Sequence, residues 1–279
     1  MTWTRAAELP ESLEPIAGLR NPLLRRVRSL LRRKARHEER AFLVEGSRAV
    51  ADMTEAGITA LVTLVRDTEG DLSLLGLAGK GPVRLVAPRL FDELTDLPHP
   101  QGILSVVSMD DLPPDRPGDQ TVPELLLIAD GVRDPGNLGT LFRSAAGAGV
   151  GAIWLTPDTV DPFNPRCVRA AMGSHFRISV RLATERELRD RIASLDVVAV
   201  ADAHGDLPYD EVDWTGPSAI IVGGEAFGPT ASIRTLATAN VRIPLAGDIE
   251  SLNAGVAGSL LIFEAARQRR RVGFGQPSN

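Results

Sequence analysis

The residue best placed to do chemistry is the guanidinium of Arg143, at the end of the segment Asp130-Gly-Val-Arg-Asp-Pro-Gly-Asn-Leu-Gly-Thr-Leu-Phe-Arg143. The apolar run Leu125–Ala129 ahead of it predicts a buried strand, and the stripe Leu138, Leu141, Phe142 and Ala145 predicts a helix. Asp134-Pro135-Gly136 is turn chemistry, and Asn137 is expected to cap the helix. At about 100° per residue, Arg143 falls well off the apolar stripe. Its charge is then free to meet solvent, a partner subunit or a ligand. Strand–turn–helix units occur throughout α/β proteins, so this segment alone does not specify a function.

Two later segments add to it. Ile220-Ile-Val-Gly-Gly-Glu-Ala-Phe-Gly-Pro229 is a buried strand running into glycines. Gly223 and Gly224 let backbone N–H and C=O groups approach a ligand with no Cβ in the way. The segment Ile243-Pro-Leu-Ala-Gly-Asp-Ile-Glu-Ser-Leu-Asn-Ala-Gly-Val-Ala257 supplies an opposite wall. There Ile243, Leu245 and Leu252 offer apolar contact for an adenine ring, and loop amides and carbonyls can read its edge. The last helix opens with the small residues Ala254, Gly255, Ala257, Gly258 and Ser259. Each interior glycine costs about 1 kcal/mol relative to alanine, so another backbone is expected to pack close.

Together, in this order, the three segments resemble the three motifs of the SpoU (TrmH-like) RNA ribose methyltransferases. Arg20–Leu30, Arg36–Gly46 and His99–Gly102 are similar to that family's substrate-binding domain, so the resemblance covers roughly residues 20–271. It implies an α/β protein with an N-terminal ribosomal-protein-like α/β/α domain and a C-terminal SPOUT α/β domain containing a trefoil knot. It also implies S-adenosylmethionine as cofactor, a homodimer, and RNA as partner. Asn137, Arg143, Glu225, Ser251 and Asn253 match the family's active-site positions. Gly223, Ile243 and Leu252 match cofactor-binding positions, with Gly224 and Leu245 beside them. In the family the arginine is a proposed base or base activator that reaches across the dimer. A guanidinium stays protonated, so electrostatic positioning of phosphate and hydroxyl is the expected role of Arg143. Glu225 is expected either to orient that arginine or to cap its own loop. The family's usual Ser-Leu-Asn-Val-Ser is here Ser251-Leu-Asn-Ala-Gly255, which removes one hydroxyl.

The net charge of −5 hides an asymmetry. Residues 20–48 hold ten Arg or Lys against Glu38, Glu39 and Glu45, a balance of +7, which leaves −12 for the rest. A basic block in an acidic protein fits a polyanionic partner, although a solvated helix face has the same composition. Arg25, Arg26, Arg32, Arg33 and Arg36 are the candidate RNA contacts. With few Tyr and Phe, a surface of stacked aromatics for single-stranded nucleic acid is not expected. The lone Cys167 and four scattered His argue against a metal site. That cysteine usage suits a reducing, cytoplasmic compartment. No apolar run of about 18 residues is present, so no membrane span is expected.

The organisation follows. Residues 1–18 read as an arm, 19–107 as the substrate-binding domain, 108–122 as a proline- and acid-rich linker, and 123–279 as the methyltransferase domain. One basic helix is expected from Pro22 to about Arg36, a second from Ser47 to Glu55, and a long last helix over about 252–271. Strands are expected near 42–45, 60–65, 83–86, 103–107, 124–129, 152–155, 197–201, 218–222 and 241–243. Gly147-Ala-Gly-Val-Gly151 does not have dinucleotide-loop spacing and follows a helix, not a strand, which disfavours a nucleotide-binding oxidoreductase. The expected activity is S-adenosylmethionine-dependent methylation of a ribose 2′-hydroxyl in structured RNA, foremost ribosomal RNA. Housekeeping and antibiotic self-protection both fit. The alternative is a catalytically inactive RNA-binding protein of the same fold, against which the intact site residues argue.

Overall fold

The computed structural model describes residues 14–18, 20–68, 81–115, 124–247 and 249–274. The first elements are α1 (Pro22–Ser29), α2 (Arg33–Glu39), β1 (Ala41–Glu45), α3 (Ser47–Glu55), β2 (Val62–Arg66), β3 (Val83–Val86), α4 (Pro88–Asp92) and β4 (Ile103–Ser108). Then come β5 (Leu125–Asp130), α5 (Pro135–Ala148), β6 (Ala152–Leu155), α6 (Pro165–Ala171), β7 (Ser179–Leu182), α7 (Glu185–Ile192) and β8 (Val197–Ala201). The chain ends with β9 (Leu207–Pro208), β10 (Ser218–Gly223), α8 (Ala231–Arg234), β11 (Ala239–Arg242) and α9 (Ala254–Arg271). It divides into two units. Residues up to Leu112 together with Phe163–Phe176 form the first, and Pro113–Pro162 together with Arg177 onward form the second.

In the first unit β4 and β2 sit at the centre of a sheet ordered β1-β4-β2-β3, with β2 and β3 parallel and the other pairs antiparallel. Leu24, Val27 and Leu30 pack with Leu43, Leu64, Phe91 and Val106 in its core. Asn21 caps α1 by accepting from Leu23 N at 2.9 Å, with Pro22 at the first helical position. The expected single helix to Arg36 is in fact two, broken at Leu30–Arg32. No glycine or proline marks the break; tertiary packing overrides local propensity. Burial of Leu30 fixes the chain, and Arg36 turns inward to donate from Nη1 to the carbonyls of Leu30 and Leu31 at 2.8 and 2.9 Å. Arg36 is therefore 2% exposed and serves the helix end, which corrects its assignment as an RNA contact.

The boundary at 123 also needs correction, because residues 163–176 belong to the first unit. Pro165, Cys167, Val168 and Ala171 are the buried face of α6. Phe163 packs on Phe42 of β1 with ring centroids 4.9 Å apart. Arg169 bonds Asp96 at 2.8 Å and Glu45 at 3.4 Å. Burial raises the Glu45 carboxyl above the usual range, opposed by the Thr95 hydrogen bond and by Arg169. A lone apolar stripe at 165–171 does not reveal which sheet it will cover, so nothing local announces this excursion. Of the arm, Ile16 bridges Val86 at the edge of β3. Ser108 ends β4 and caps a 3-10 turn at Met109–Asp111, so the linker starts later than expected. Most of the arm, residues 1–13, and the linker's 116–122 lie outside the described residues.

The second unit is a wholly parallel sheet ordered β7-β6-β5-β10-β8-β11-β9. Its central strands are continuous apolar runs, as expected of a sheet covered on both faces. Leu126, Ile128, Val198, Val200, Ala219 and Ile221 form one layer of core with Leu188 and Ile192 of α7. On another side α9 packs along α5, joined by a 2.6 Å hydrogen bond between the Ser144 and Ser259 hydroxyls. Its far end is pinned by the buried Arg269, which donates to the carbonyls of Trp214, Glu124 and Gly216 at 2.7–2.9 Å. Burial pushes this guanidinium down to about 10, so it stays charged at neutral pH. The edge strands β7 and β9 were not anticipated; both are short and carry little apolar pattern.

Candidate active site

The sheet order places the site. From β5 the chain runs outward through β6 and β7, whereas β10 is later inserted on the other side of β5. Parallel sheets bind ligands beyond the carboxyl ends of strands at such a reversal. Asp130 and Gly223, the last residues of β5 and β10, are register partners there. The first two motifs thus leave the sheet side by side.

Asp130 holds the two loops together. Its buried carboxylate accepts from the Thr156 hydroxyl at 2.7 Å and from Thr230 N at 2.6 Å. Thr159 adds bonds to Ala129 O at 2.9 Å and from Gly131 N at 3.0 Å. This clamp was not anticipated. Its one signal was a carboxylate ending an otherwise apolar strand.

The glycines are where backbones meet. A Cβ on Gly223 would overlap the backbone of Gly228 and Pro229, and one on Gly224 would overlap Gly131 O. The second loop therefore closes tightly on itself and against the first. Likewise a Cβ on Gly258 of α9 would overlap Leu141 and come within 2.8 Å of Val222. The departure at Gly255 has a reason too: a Cβ would sit 3.2 Å from Asn137 O, Asn253 Oδ1 and Thr140 Cβ.

Three of the expected polar residues form one chain. Asn253 donates from Nδ2 to Asn137 Oδ1 at 2.8 Å, and Asn137 donates from Nδ2 to Glu225 Oε1 at 2.7 Å. Each motif contributes one member. Asn137 is not the helix cap that was expected; Asp134 caps α5, accepting from Asn137 N at 2.8 Å. That frees the Asn137 amide to bridge the other two. Asn253 does cap α9, with Oδ1 accepting from Val256 N at 3.2 Å. Glu225 neither caps its loop nor contacts Arg143 among the described residues; its bond goes to Asn137. Ser251 is exposed and makes no hydrogen bond among the described residues.

Arg143 stands apart from this chain. It is exposed, with no carboxylate partner among the described residues. It shares a face of α5 with Gly147, four residues on, whose Cβ position lies 3.8 Å from the Phe263 ring. Val256, Leu260 and Phe263 form an exposed apolar stripe on α9, 39–45% accessible. Arg143 thus belongs to the α5–α9 face.

Ile243, Leu245 and Leu252 are half-buried on the third loop. Among the described residues from 243 to 252 no backbone–backbone hydrogen bond is made, so this loop's amides and carbonyls are available to a ligand. The loop offers apolar contact and free backbone groups, which fits an adenine nucleoside. In the first unit Arg25, Arg32 and Arg33 are exposed, while Arg26 is ion-paired with Glu39. Among the described residues no group of three or more His, Cys, Asp or Glu is placed to hold a metal ion, and no helix is long and apolar enough to cross a membrane.

Comparison with known proteins agrees with this geometry. The SpoU rRNA Methylase family profile matches residues 124–263, and that of the MRM3-like substrate binding domain matches residues 21–105. The 23S rRNA (guanosine(2553)-2′-O)-methyltransferase RlmP of Bacillus subtilis is 31% identical over 90% of this chain and 98% of its own. The 23S rRNA (uridine(2479)-2′-O)-methyltransferase of Streptomyces viridochromogenes is 32% identical over 90% and 95%. Among solved structures, the SpoU methyltransferase AviRb from that organism, in complex with AdoMet, superposes with a TM-score of 0.80 at 30% identity, covering 90% of this chain and 99% of the other. An AdoMet-bound rRNA methyltransferase from Sinorhizobium meliloti gives 0.79 at 31% identity, covering 94% and 99%.

Proposed function

The chain belongs to the SpoU rRNA methylase family, and from that premise we propose that it methylates a ribose 2′-hydroxyl of ribosomal RNA with S-adenosylmethionine. The observation that carries this reading is the Asn253–Asn137–Glu225 chain, which unites all three motifs beside a loop with uncommitted backbone groups. S-adenosylmethionine supplies an electrophilic methyl group on a sulfonium. Gly223, Gly224, Ile243, Leu245 and Leu252 are the residues proposed to hold it. The protein's own tasks are to orient the hydroxyl, hold the adjoining phosphate and assist loss of a proton. Glu225 and Asn137 are rigid acceptor and donor groups suited to orientation, with Ser251 on the adjoining loop. Arg143 suits the phosphate, as a permanent charge with several donors.

The placement of Arg143 supports a homodimer. It lies well around α5 from its own Asn137 and one turn before Gly147, which faces Phe263 of the exposed stripe Val256, Leu260 and Phe263. A second copy covering that stripe brings each Arg143 toward the other copy's site. The trefoil knot is proposed on the family resemblance; the close approaches of Gly223 and Gly224 to neighbouring backbone, and of Gly258 to the Leu141 and Val222 side chains, are compatible with it. Arg25, Arg32 and Arg33, with Arg26 at the margin, are the proposed RNA contacts of the first unit. The compartment proposed is the reducing one where ribosomes are assembled, as the single buried thiol of Cys167 suits it.

The test is transfer of tritiated methyl groups from S-adenosylmethionine to total rRNA from a strain lacking the gene, followed by alkaline hydrolysis. A 2′-O-methyl group blocks cleavage of the adjoining phosphodiester, so label in alkali-resistant dinucleotides is expected. Label recovered wholly in mononucleotides would place the methyl on a base and overturn the proposal.

A further inference from the structure

Phe227 is 92% exposed, whereas the next most exposed large apolar side chain among the described residues, Ile249, reaches 62%. Single exposed apolar residues are ordinary on protein surfaces, but the position of this one is not. It occupies the tip of the loop Gly224–Gly228, two residues from Glu225. That loop is closed by an antiparallel bridge between Gly224 and Gly228, with Gly228 N donating to Gly224 O at 2.9 Å. Its base is locked where Gly223 abuts Gly228 and Pro229. The ring is therefore displayed on a short, tied turn, and ordering it on contact costs little conformational entropy.

Two residues of chain span at most about 7 Å, comparable to two base steps of about 3.4 Å along one strand. An aromatic ring held at that distance from Glu225 can reach the base of the nucleotide placed there, or of its immediate neighbour. The surroundings suit a nucleic acid: Arg133, on the first-motif loop whose Gly131 abuts Gly224, is exposed, with no carboxylate partner among the described residues. We propose that Phe227 is a stacking platform for an unpaired nucleobase of the RNA substrate, fixing the ribose that receives the methyl group. This rests on the ribose-methylation reading above. It concerns a single ring, in keeping with a chain that is only 4% aromatic.

The experiment compares full-length wild type with Phe227→Ala, Phe227→Leu, Phe227→Tyr and Phe227→Trp, using tritiated S-adenosylmethionine and total rRNA from a strain lacking the gene. The alanine and leucine variants are expected to lose about tenfold in kcat/KM for RNA, the scale of one base–aromatic stack. The tyrosine and tryptophan variants should stay close to wild type, because every base has a face that any aromatic can cover. Affinity for S-adenosylmethionine, by calorimetry, and mass, by sedimentation, should be unchanged throughout. Wild-type kinetics in the leucine variant would show that apolar area suffices and overturn the stacking role. A parallel loss of cofactor affinity would reassign Phe227 to the cofactor, and a change of mass would reassign it to an interface between copies. Inactive wild type that still binds the cofactor would remove the underlying function; active wild type with an unaffected alanine variant removes the stacking proposal alone.

Discussion

Gly223→Ala is the sharpest perturbation of the proposed cofactor site. Gly223 does not have a positive φ, so alanine meets no backbone strain there. At a permissive position the substitution stabilises by about 0.4–1 kcal/mol through the unfolded chain. Against this, the new Cβ would overlap Pro229 N, Gly228 C and Pro229 Cδ. Overpacking typically costs about 1–3 kcal/mol even where a side chain can yield. Here the obstacles are main chain and a proline ring, so the upper end applies and the net loss is about 2–3 kcal/mol. For a unit of this size that lowers the melting temperature by roughly 5–10 °C. Relief requires Gly228–Pro229 to move, which displaces Glu225 and the rest of the Gly224–Gly228 loop. Affinity for S-adenosylmethionine should therefore fall by about tenfold or more, a loss of about 1.4 kcal/mol. Gly151→Ala is the control, since its Cβ would meet only Leu125 O at an ordinary 3.6 Å. It should be neutral or slightly stabilising. Calorimetry and melting curves on the three full-length proteins decide. A Gly223→Ala protein that binds and melts like the Gly151→Ala control would refute the claim that this close approach shapes the site.

Arg143→Ala should abolish methyl transfer to rRNA while leaving the calorimetric affinity for S-adenosylmethionine unchanged; near-normal turnover would remove Arg143 from the RNA side of the site. Neutralising Arg25, Arg32 and Arg33 together should reduce the slope of log affinity against log salt by about 2–3 units. Arg36→Met should instead destabilise the first unit by about 2–4 kcal/mol, because the carbonyls of Leu30 and Leu31 lose their buried partner. An unchanged slope in the triple variant would leave that helix face merely solvated. Burial raises the Glu45 carboxyl, so the folded first unit holds a proton that the unfolded chain releases earlier. Its stability should fall as pH rises from the ordinary carboxylate range through the raised value, and Glu45→Gln should flatten that fall. A pH profile unaltered by the substitution would show that Thr95 and Arg169 fully offset the burial.

Much of this was legible from residues alone. Strand positions 83–86, 152–155 and 197–201 and the helix Ser47–Glu55 match the structure because their apolar patterns are bounded by clear turn residues. The three polar residues Asn137, Glu225 and Asn253 are identified through resemblance to the family's motifs rather than from the residues alone, and they meet. What escaped depended on partners distant in sequence. Asp134 outcompeted Asn137 for the helix cap, one turn position earlier, and the freed amide became the bridge. Arg36 looked like one more exposed cation, and only the break of the helix after Ser29 turned it inward. The excursion of residues 163–176 into the first unit had no local signature, since α6 would suit any apolar sheet face. The Asp130 clamp joins residues 26 and 100 positions apart, beyond the reach of periodicity.

The central claim is tested most directly by mass spectrometry of nucleosides and mapped fragments of rRNA from strains with and without the gene. Loss of a 2′-O-methyl group at one ribose in the deletion strain, restored by the wild-type chain and not by Arg143→Ala, is the predicted result. An identical set of ribose methylations in both strains, or a difference confined to base methylation, would contradict it.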